Sequence, residues 1–173
     1  MKLRIIHKKL QDNRGFTLIE TFIAITILLL AITGPLFLVT RGLSISKLAK
    51  GQITSMYLAQ EAVEYIRNTR DKNILNGVNW LDGLTNCVGK KCKIDSPSQD
   101  VESCDSGGCE NLKYNTVSSL YTYASGEVSR FKRVVEIKEI FPNRELEVVV
   151  NMYWTDGPHE RDFTVKESLL NWQ

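Results

Sequence analysis

The sequence Arg14-Gly15-Phe16-Thr17-Leu18-Ile19-Glu20-Thr21 joins a basic leader to an apolar segment that reaches Val39. That segment, Phe16 to Val39, would form a helix about 36 Å long, at a rise of about 1.5 Å per residue. A bilayer core is about 30 Å thick, so the segment is long enough to span a membrane. Glu20 lies inside it, where a carboxylate costs several kcal/mol unless a cation neutralises it. The stretch therefore predicts a membrane helix with one charge that needs a partner.

The charge distribution predicts the orientation of this helix. Residues 1–15 carry five lysines and arginines against one aspartate, whereas the whole chain has a net charge of only +2. Because positively charged segments beside a membrane helix stay in the cytoplasm, we expect a cytoplasmic leader and a C-terminal domain outside. The rest of the chain is slightly acidic, which gives no reason to expect nucleic acid as a general partner.

An ordinary secretory signal peptide does not fit this pattern. Such peptides have a shorter apolar region, about 7 to 15 residues, and are cleaved after it. Here the small residue beside a charge, Gly15, precedes the apolar segment. Processing is therefore expected to remove the leader and keep the helix.

The order of Gly15, Phe16 and Glu20 at the start of a spanning helix resembles the type IV prepilin signal. That signal is shared by type IV pilins, minor pilins and the pseudopilins of type II secretion. The resemblance implies cleavage between Gly15 and Phe16 by a prepilin peptidase, which also methylates the new N-terminal Phe16. It implies that Glu20 meets the N-terminal amine of a neighbouring subunit during assembly. The alternative is a plain signal anchor in which Glu20 reaches the membrane interface.

Gly34 and Pro35 predict a helix break inside the apolar segment. Proline lacks an amide hydrogen and its ring crowds the carbonyl four residues earlier. In pilin-like proteins, a glycine and a proline in this region are associated with partial melting of the helix in the filament. The alternative is that the proline is simply tolerated, as is common in membrane helices.

Beyond Arg41, apolar residues keep helical spacing although polar residues return. They are Ile45, Leu48, Ala49, Ile53, Met56, Ala59, Val63 and Ile66. We expect the helix to continue to about Asp71, a length of roughly 84 Å. Its first half must be covered by lipid or, in a filament, by neighbouring subunits. The alternative is an anchor followed by a separate helix, with a break near Gly42 or Gly51.

The next segment contains four cysteines in two pairs with the same spacing. They are Cys87, Cys92, Cys104 and Cys109. A four-cysteine zinc site is one possible arrangement, and free thiols are another. Because the predicted topology places the segment outside the cytoplasm, we favour disulfides. Four cysteines allow three pairings, and the two local pairs close with the smallest loss of entropy.

The C-terminal part has the alternation of β-strands. One strand is predicted over residues 128–141, with Phe131, Val135, Ile137 and Phe141 on one face. The next has Leu146, Val148, Val150, Met152 and Trp154 on one face. A turn at residues 156–159 leads to a last strand with Phe163, Val165 and Leu169 on one face. The helix stripe from Ile53 to Ile66 is expected to lie across this sheet.

We therefore predict an α+β fold in which a long N-terminal helix packs on a C-terminal antiparallel β-sheet. This arrangement resembles the pilin fold, and the ending, residues 161–172, resembles that of minor pilins and minor pseudopilins. The predicted segments are a basic leader (1–15), a transmembrane and assembly helix (16–40), an amphipathic helix (41–72), a cysteine-containing loop region (73–116) and the sheet (117–173).

No pattern in the sequence favours an enzyme or a cofactor, and disulfides are favoured over a metal at the cysteines. The chain has two histidines, His7 in the leader and His159 in a turn, so a catalytic triad would depend on His159 alone. Asp156, Glu160 and Asp162 offer oxygen atoms of the kind that calcium binds, but turn chemistry accounts for that stretch without an ion. We expect no catalytic residues.

The resemblance implies a minor pilin or pseudopilin subunit that assembles through its N-terminal helix into a type IV pilus-like filament. Its implied partners are other pilins or pseudopilins, prepilin peptidase, an inner-membrane assembly platform and membrane lipid, with nucleic acid only in a DNA-uptake role. The implied location is the cytoplasmic membrane before assembly and a surface or periplasmic filament afterwards. The alternative is a membrane-anchored extracytoplasmic binding module with a disulfide-stapled recognition loop and no filament role.

Overall fold

The computed structural model describes residues 15, 17–104 and 107–171; residues 1–14 of the predicted leader, and Phe16, lie outside them. In chain order the elements are α1 (Leu18–Leu75), a 3₁₀ helix (Thr85–Cys87), β1 (Cys92–Asp95), β2 (Asp100–Ser103), β3 (Asn111–Asn115), β4 (Leu120–Thr122), β5 (Glu127–Phe141), β6 (Glu145–Asp156) and β7 (His159–Leu170). The strands pair antiparallel. The predicted α+β fold, a long N-terminal helix followed by a C-terminal antiparallel sheet, is confirmed.

The chain divides into two compact units, Met1–Ile45 and Ser46–Gln173. In the first unit, the described part of α1 is exposed along its whole length. The second unit contains the rest of α1 and all seven strands. The hydrophobic core belongs to this second unit.

Helix α1 continues through Gly34 and Pro35, so these residues do not divide it into two helices; the partial melting in a filament stays a prediction. Pro35 removes one backbone hydrogen bond, and in apolar surroundings no water competes for the hydrogen bonds of the turns on either side. The helix also continues through Gly42 and Gly51, which contradicts the alternative of two separate helices.

Helix α1 ends at Leu75, three residues beyond the predicted segment boundary. Gly77 adopts a positive φ of 68°, and its N–H donates to the Ile74 carbonyl while the Val78 N–H donates to the Asn73 carbonyl. This pair of hydrogen bonds is the Schellman motif that ends many helices. The Asn73 side chain also donates to the carbonyls of Trp80 and Asp82, which holds the following loop against the helix end.

Strand β5 is the centre of the seven-stranded sheet. It pairs with β6 along most of its length, and β6 pairs with β7. On its other side β5 pairs with β3 and β1, which are followed outward by β4 and β2. The predicted inward face of β6 is confirmed, because all five of its apolar side chains are buried. On β5, however, Phe141 is 59% exposed, since a register shift after Glu139 turns it away from the core.

The face of α1 that packs on the sheet differs from the predicted stripe. Ile53 and Met56 are 55% and 48% exposed. The buried residues of α1 are Gly51, Ser55, Leu58, Ala59, Ala62, Val63, Ile66 and Asn73. Several are small, and a Cβ built on Gly51 would lie only 3.0 Å from the indole nitrogen of Trp154. Small residues let the helix approach the sheet closely, and apolar spacing alone does not reveal this.

The region predicted as a cysteine-containing loop, residues 73–116, contains three strands and the 3₁₀ helix. Strands β1 and β2 have four residues each and β3 has five. Segments this short do not establish an alternation pattern, and glycine, serine and aspartate dominate between them. These strands form because they pair with each other and with β5, and not because of a local sequence pattern.

Arg133 lies on the inward face of β5 and is fully buried. Its guanidinium donates to the carbonyl of Leu58 on α1 and to the carbonyl of Ile94 on β1, both at 2.6 Å. Its Nη1 atom lies 3.6 Å from a carboxylate oxygen of Glu61. A buried guanidinium is stable only when such acceptors surround it. Arg133 therefore joins the helix, β5 and β1 at the centre of the second unit.

Tyr123 packs beside Arg133, and its hydroxyl donates to the Arg133 carbonyl. Burial raises the pKa of Tyr123 above the ordinary tyrosine value of about 10. The unfolded chain therefore ionises this tyrosine first, and its contribution to stability is complete below pH about 10 and is lost as pH rises through the folded-state pKa. In denaturant titrations from pH 8 to 11.5, Tyr123→Phe should lose less stability than the wild type. An identical pH dependence would contradict this.

Candidate functional site

Helix α1 begins immediately after Thr17, and Thr17 is its N-cap. The Thr17 hydroxyl oxygen accepts a hydrogen bond from the backbone N–H of Glu20 at 3.2 Å. The spacing Thr-x-x-Glu is that of a capping box, in which the acidic side chain can also bond back to the N-cap residue. Thr17 was missed in the sequence analysis, although this spacing could have identified it. Glu20 is thus suited to the first turn of a helix, where a negative charge is favourable.

All five hydroxyl side chains of α1 between Thr21 and Ser44 donate hydrogen bonds to carbonyls of the helix itself. The donors are Thr21, Thr26, Thr33, Thr40 and Ser44, and their best distances are 2.8 to 3.1 Å. These groups therefore need no outside partner in an apolar environment. No described cation forms an ion pair with Glu20. Its carboxylate is the one ionisable group between Leu18 and Thr40.

The exposed surface around Glu20 is apolar. Leu18, Ile19 and Phe22 have 87%, 68% and 71% of their surface exposed. Helix α1 is long and apolar enough near its N-terminus to cross a membrane, by length and composition. Gly15, Gly34 and Pro35 are exposed as well. The residues predicted for cleavage and methylation are Gly15, which is described, and Phe16, which is not.

The four cysteines form two disulfides that join the two local pairs favoured from the sequence. Cys87 and Cys92 have Cα atoms 5.1 Å apart, and Cys104 and Cys109 have Cα atoms 4.9 Å apart. All four sulfurs are used in this way, which leaves no thiolate for the zinc alternative. In residues 15, 17–104 and 107–171, no group of three His, Cys, Asp or Glu side chains could hold a metal ion.

The first disulfide closes a ring in which Val88, Gly89, Lys90 and Lys91 lie between the two cysteines. Both of its cysteines are fully buried in the core. The Gly89 N–H donates to the Ile137 carbonyl of β5 at 2.9 Å, and the Lys91 carbonyl accepts from the Cys104 N–H at 2.8 Å. The ring is therefore anchored to the sheet on one side and to the second disulfide on the other.

Removal of the first disulfide should destabilise the second unit more than removal of the second. Short disulfide loops stabilise by about 2 kcal/mol, and Cys87→Ala/Cys92→Ala also leaves a core cavity that adds about 1 kcal/mol or more. Cys104 is only half-buried, and Cys109 is buried but lies outside the core cluster, so Cys104→Ala/Cys109→Ala should lack part of that second loss. Denaturant unfolding of the full chain in detergent measures both. Equal losses would contradict the assignment of the first disulfide to the core.

The second disulfide lies beside a small ion cluster. The Lys93 ammonium contacts the carboxylates of Glu102 at 2.8 Å and Glu110 at 2.7 Å. Hydrogen bonds to these two carboxylates raise the pKa of Lys93, and the same bonds lower the pKa values of Glu102 and Glu110. The cluster links β1 and β2 to the segment before β3. Because it is largely exposed, we assign it a modest stabilising role.

The residues considered for calcium surround the turn between β6 and β7. Asp156 pairs with His159 across that turn, and Gly157 has a positive φ of 61°. The Asp156 carboxylate lies 3.7 Å from Arg130. This cation and the two-residue turn account for Asp156 without a metal.

The candidate functional site is therefore the start of α1, where one carboxylate stands on an exposed apolar helix. The ring closed by the first disulfide in the second unit, which carries Lys90 and Lys91, is a separate candidate for a binding site. Searches of protein-family models, curated proteins and solved structures find no match to this chain. Its function has to be inferred from these two features.

Proposed function

We propose that this chain is a minor pilin or pseudopilin subunit of a type IV pilus-like filament. Prepilin peptidase removes the leader after Gly15 and methylates Phe16. The mature chain stays in the cytoplasmic membrane with its C-terminal domain outside, and an assembly platform then transfers it to the filament. The partners of α1 are lipid before assembly and other pilins or pseudopilins afterwards.

The observation that carries this proposal is that Glu20 is the one charged side chain on the exposed apolar part of helix α1 and has no described cation beside it. The hydroxyl groups of the apolar segment are satisfied by the helix itself, and the carboxylate of Glu20 is not paired with any described cation. A charge in hydrocarbon is costly unless a counter-charge approaches it. The amine of a processed Phe16 on a neighbouring subunit is a cation of the required kind, and Phe16 precedes Glu20 by only four residues in the sequence.

The second candidate is a membrane-anchored binding module without a filament role. It is favoured by the lysine-bearing ring, which a buried disulfide holds in place. In this reading α1 is only an anchor, and the ring binds an acidic ligand outside the cell. The two candidates differ in whether the chain leaves the membrane.

The test is to follow the full chain with an antibody in cells that produce it with its own prepilin peptidase and assembly platform. The filament proposal predicts that shearing releases the chain with filaments, and that deleting the peptidase abolishes this release. An unrelated membrane protein in the same cells serves as the control for lysis. If the chain stays entirely in the membrane fraction while other pilins are released, the anchored binding module is the better account.

A further inference from the structure

The ring closed by the first disulfide presents two lysines to solvent. We call residues 88–91 the lysine loop. Lys90 and Lys91 are both exposed, and in the described part of the chain neither forms an ion pair. The buried disulfide and the hydrogen bond from Gly89 to Ile137 hold the base of the loop. Two positive charges are thus displayed from a rigid support, which lowers the entropy cost of binding.

A groove of about 570 Å³ lies between α1 and β7 in the second unit. We call it the acidic groove. Its charged lining is Glu61, Glu64 and Glu167 against Arg67, and the buried Arg133 lies 3.6 Å from Glu61, so the groove keeps an excess of one negative charge. Arg67 bonds Glu64 and Glu167 together. Tyr57, which is 68% exposed, adds an aromatic wall against which a lysine stem can pack.

The lysine loop and the acidic groove lie at the two ends of one row across the sheet. Glu167 on β7 is opposite Val148 on β6, and Val148 is opposite Ile137 on β5. Ile137 in turn forms a bridge with Val88, the first residue of the lysine loop. The two features therefore have opposite charge, lie on opposite sides of β5, and share one level of the sheet.

We propose that the lysine loop of one copy of this chain docks into the acidic groove of a second copy. Lys90 and Lys91 pair with the groove carboxylates, and Tyr57 covers their aliphatic stems. Because the two surfaces are different and lie at opposite sides of the sheet, the contact is head-to-tail. Each added copy leaves one free loop and one free groove, so the contact extends into a row instead of closing as a dimer. The docking is a side-by-side contact between copies of this chain. Its occurrence in a filament rests on the proposed function.

The experiment uses the full chain in its native membranes, with a photoreactive benzophenone amino acid in place of Tyr57. Half of the chains carry heavy isotopes, so that peptides linked between copies are recognised by mass. The expected product joins position 57 of one copy to residues 88–91 of another. Lys90→Glu/Lys91→Glu should lower its yield by about tenfold or more, because like charges then face each other. Links only to another protein, or to a different surface of this chain, would overturn the proposal.

A charge exchange provides the matched control. Chains with Lys90→Glu/Lys91→Glu are mixed with chains that carry Glu64→Lys/Glu167→Lys, and the link from the second type to the first should return. Lys47→Glu/Lys72→Glu makes the same change in net charge at two exposed lysines outside the loop and the groove lining and should leave the yield unchanged. If exchange restores nothing, or if the control lowers the yield equally, the docking proposal is wrong.

The same samples separate this proposal from the filament proposal. Chains processed at Phe16 without the loop-to-groove link would overturn the docking proposal and leave the filament proposal intact. The link in chains that keep their leader, despite an active peptidase, would support the contact and reject the filament function.

Discussion

Glu20→Gln is expected to reduce filament assembly strongly while the protein remains inserted and processed. Glutamine keeps the size of the side chain and its place in a capping box, because Glu and Gln are both suitable at that position. It removes only the charge that we pair with a neighbouring amine. Loss of a charge pair in a water-excluded contact costs about 2 to 5 kcal/mol. Sheared filament yield should therefore fall at least about tenfold, with membrane levels unchanged.

Thr17→Ala is the matched control, because it removes the cap and keeps the charge. It deletes the hydroxyl oxygen that accepts from the Glu20 N–H, at a cost of about 1 kcal/mol to the helix end. Assembly should be reduced only slightly. If Thr17→Ala abolishes assembly and Glu20→Gln does not, then Glu20 acts as a helix cap and the ion-pair account is wrong.

Among glycine-to-alanine substitutions in the second unit, Gly126→Ala is expected to lower the free energy of unfolding the most. Gly126 has a φ of 128°, and a Cβ there would lie 2.5 Å from the Tyr114 carbonyl oxygen and 2.7 Å from its carbon. The obstacle is backbone in a paired strand, which cannot rotate away as a side chain can. We expect a loss of about 3 kcal/mol in the free energy of unfolding.

Gly157→Ala separates backbone strain from this collision. Gly157 also has a positive φ, 61°, but a Cβ there would meet nothing within 4 Å. Its cost should be only the strain of a left-handed residue, about 1 kcal/mol. Both losses can be measured by denaturant unfolding of the full chain in detergent, followed by the fluorescence of the buried Trp80 and Trp154. Equal losses would mean that the backbone of β3 around Tyr114 shifts enough to accommodate the added methyl group.

The parts of the fold that could be predicted from the sequence are those with long, regular patterns. Helix α1, the inward face of β6 and the strand character of β5 and β7 follow from periodicity over ten residues or more. The two disulfides follow from the predicted topology and from loop length. The helix and strand predictions depend only on residues close together in the sequence, and the disulfide prediction adds the side of the membrane; none of them requires tertiary contacts.

The features that were missed depend on contacts between distant residues. Alternation on β5 places Arg133 on the same face as Phe131 and Val135, so its inward position was visible. What makes that position possible is the pair of carbonyl acceptors, from Leu58 and Ile94, which lie 75 and 39 residues away in the chain. Likewise the close approach of α1 at Gly51 depends on Trp154. Short strands such as β1 depend on their partners for the same reason.

The measurement that tests the central claim most directly is the mass of the N-terminal peptide of the chain isolated from its native membrane. Our account predicts a peptide that begins at Phe16 with one added methyl group on its amine. A chain that still carries residues 1–15, in cells whose prepilin peptidase processes other pilins, would contradict the account and favour the anchored binding module.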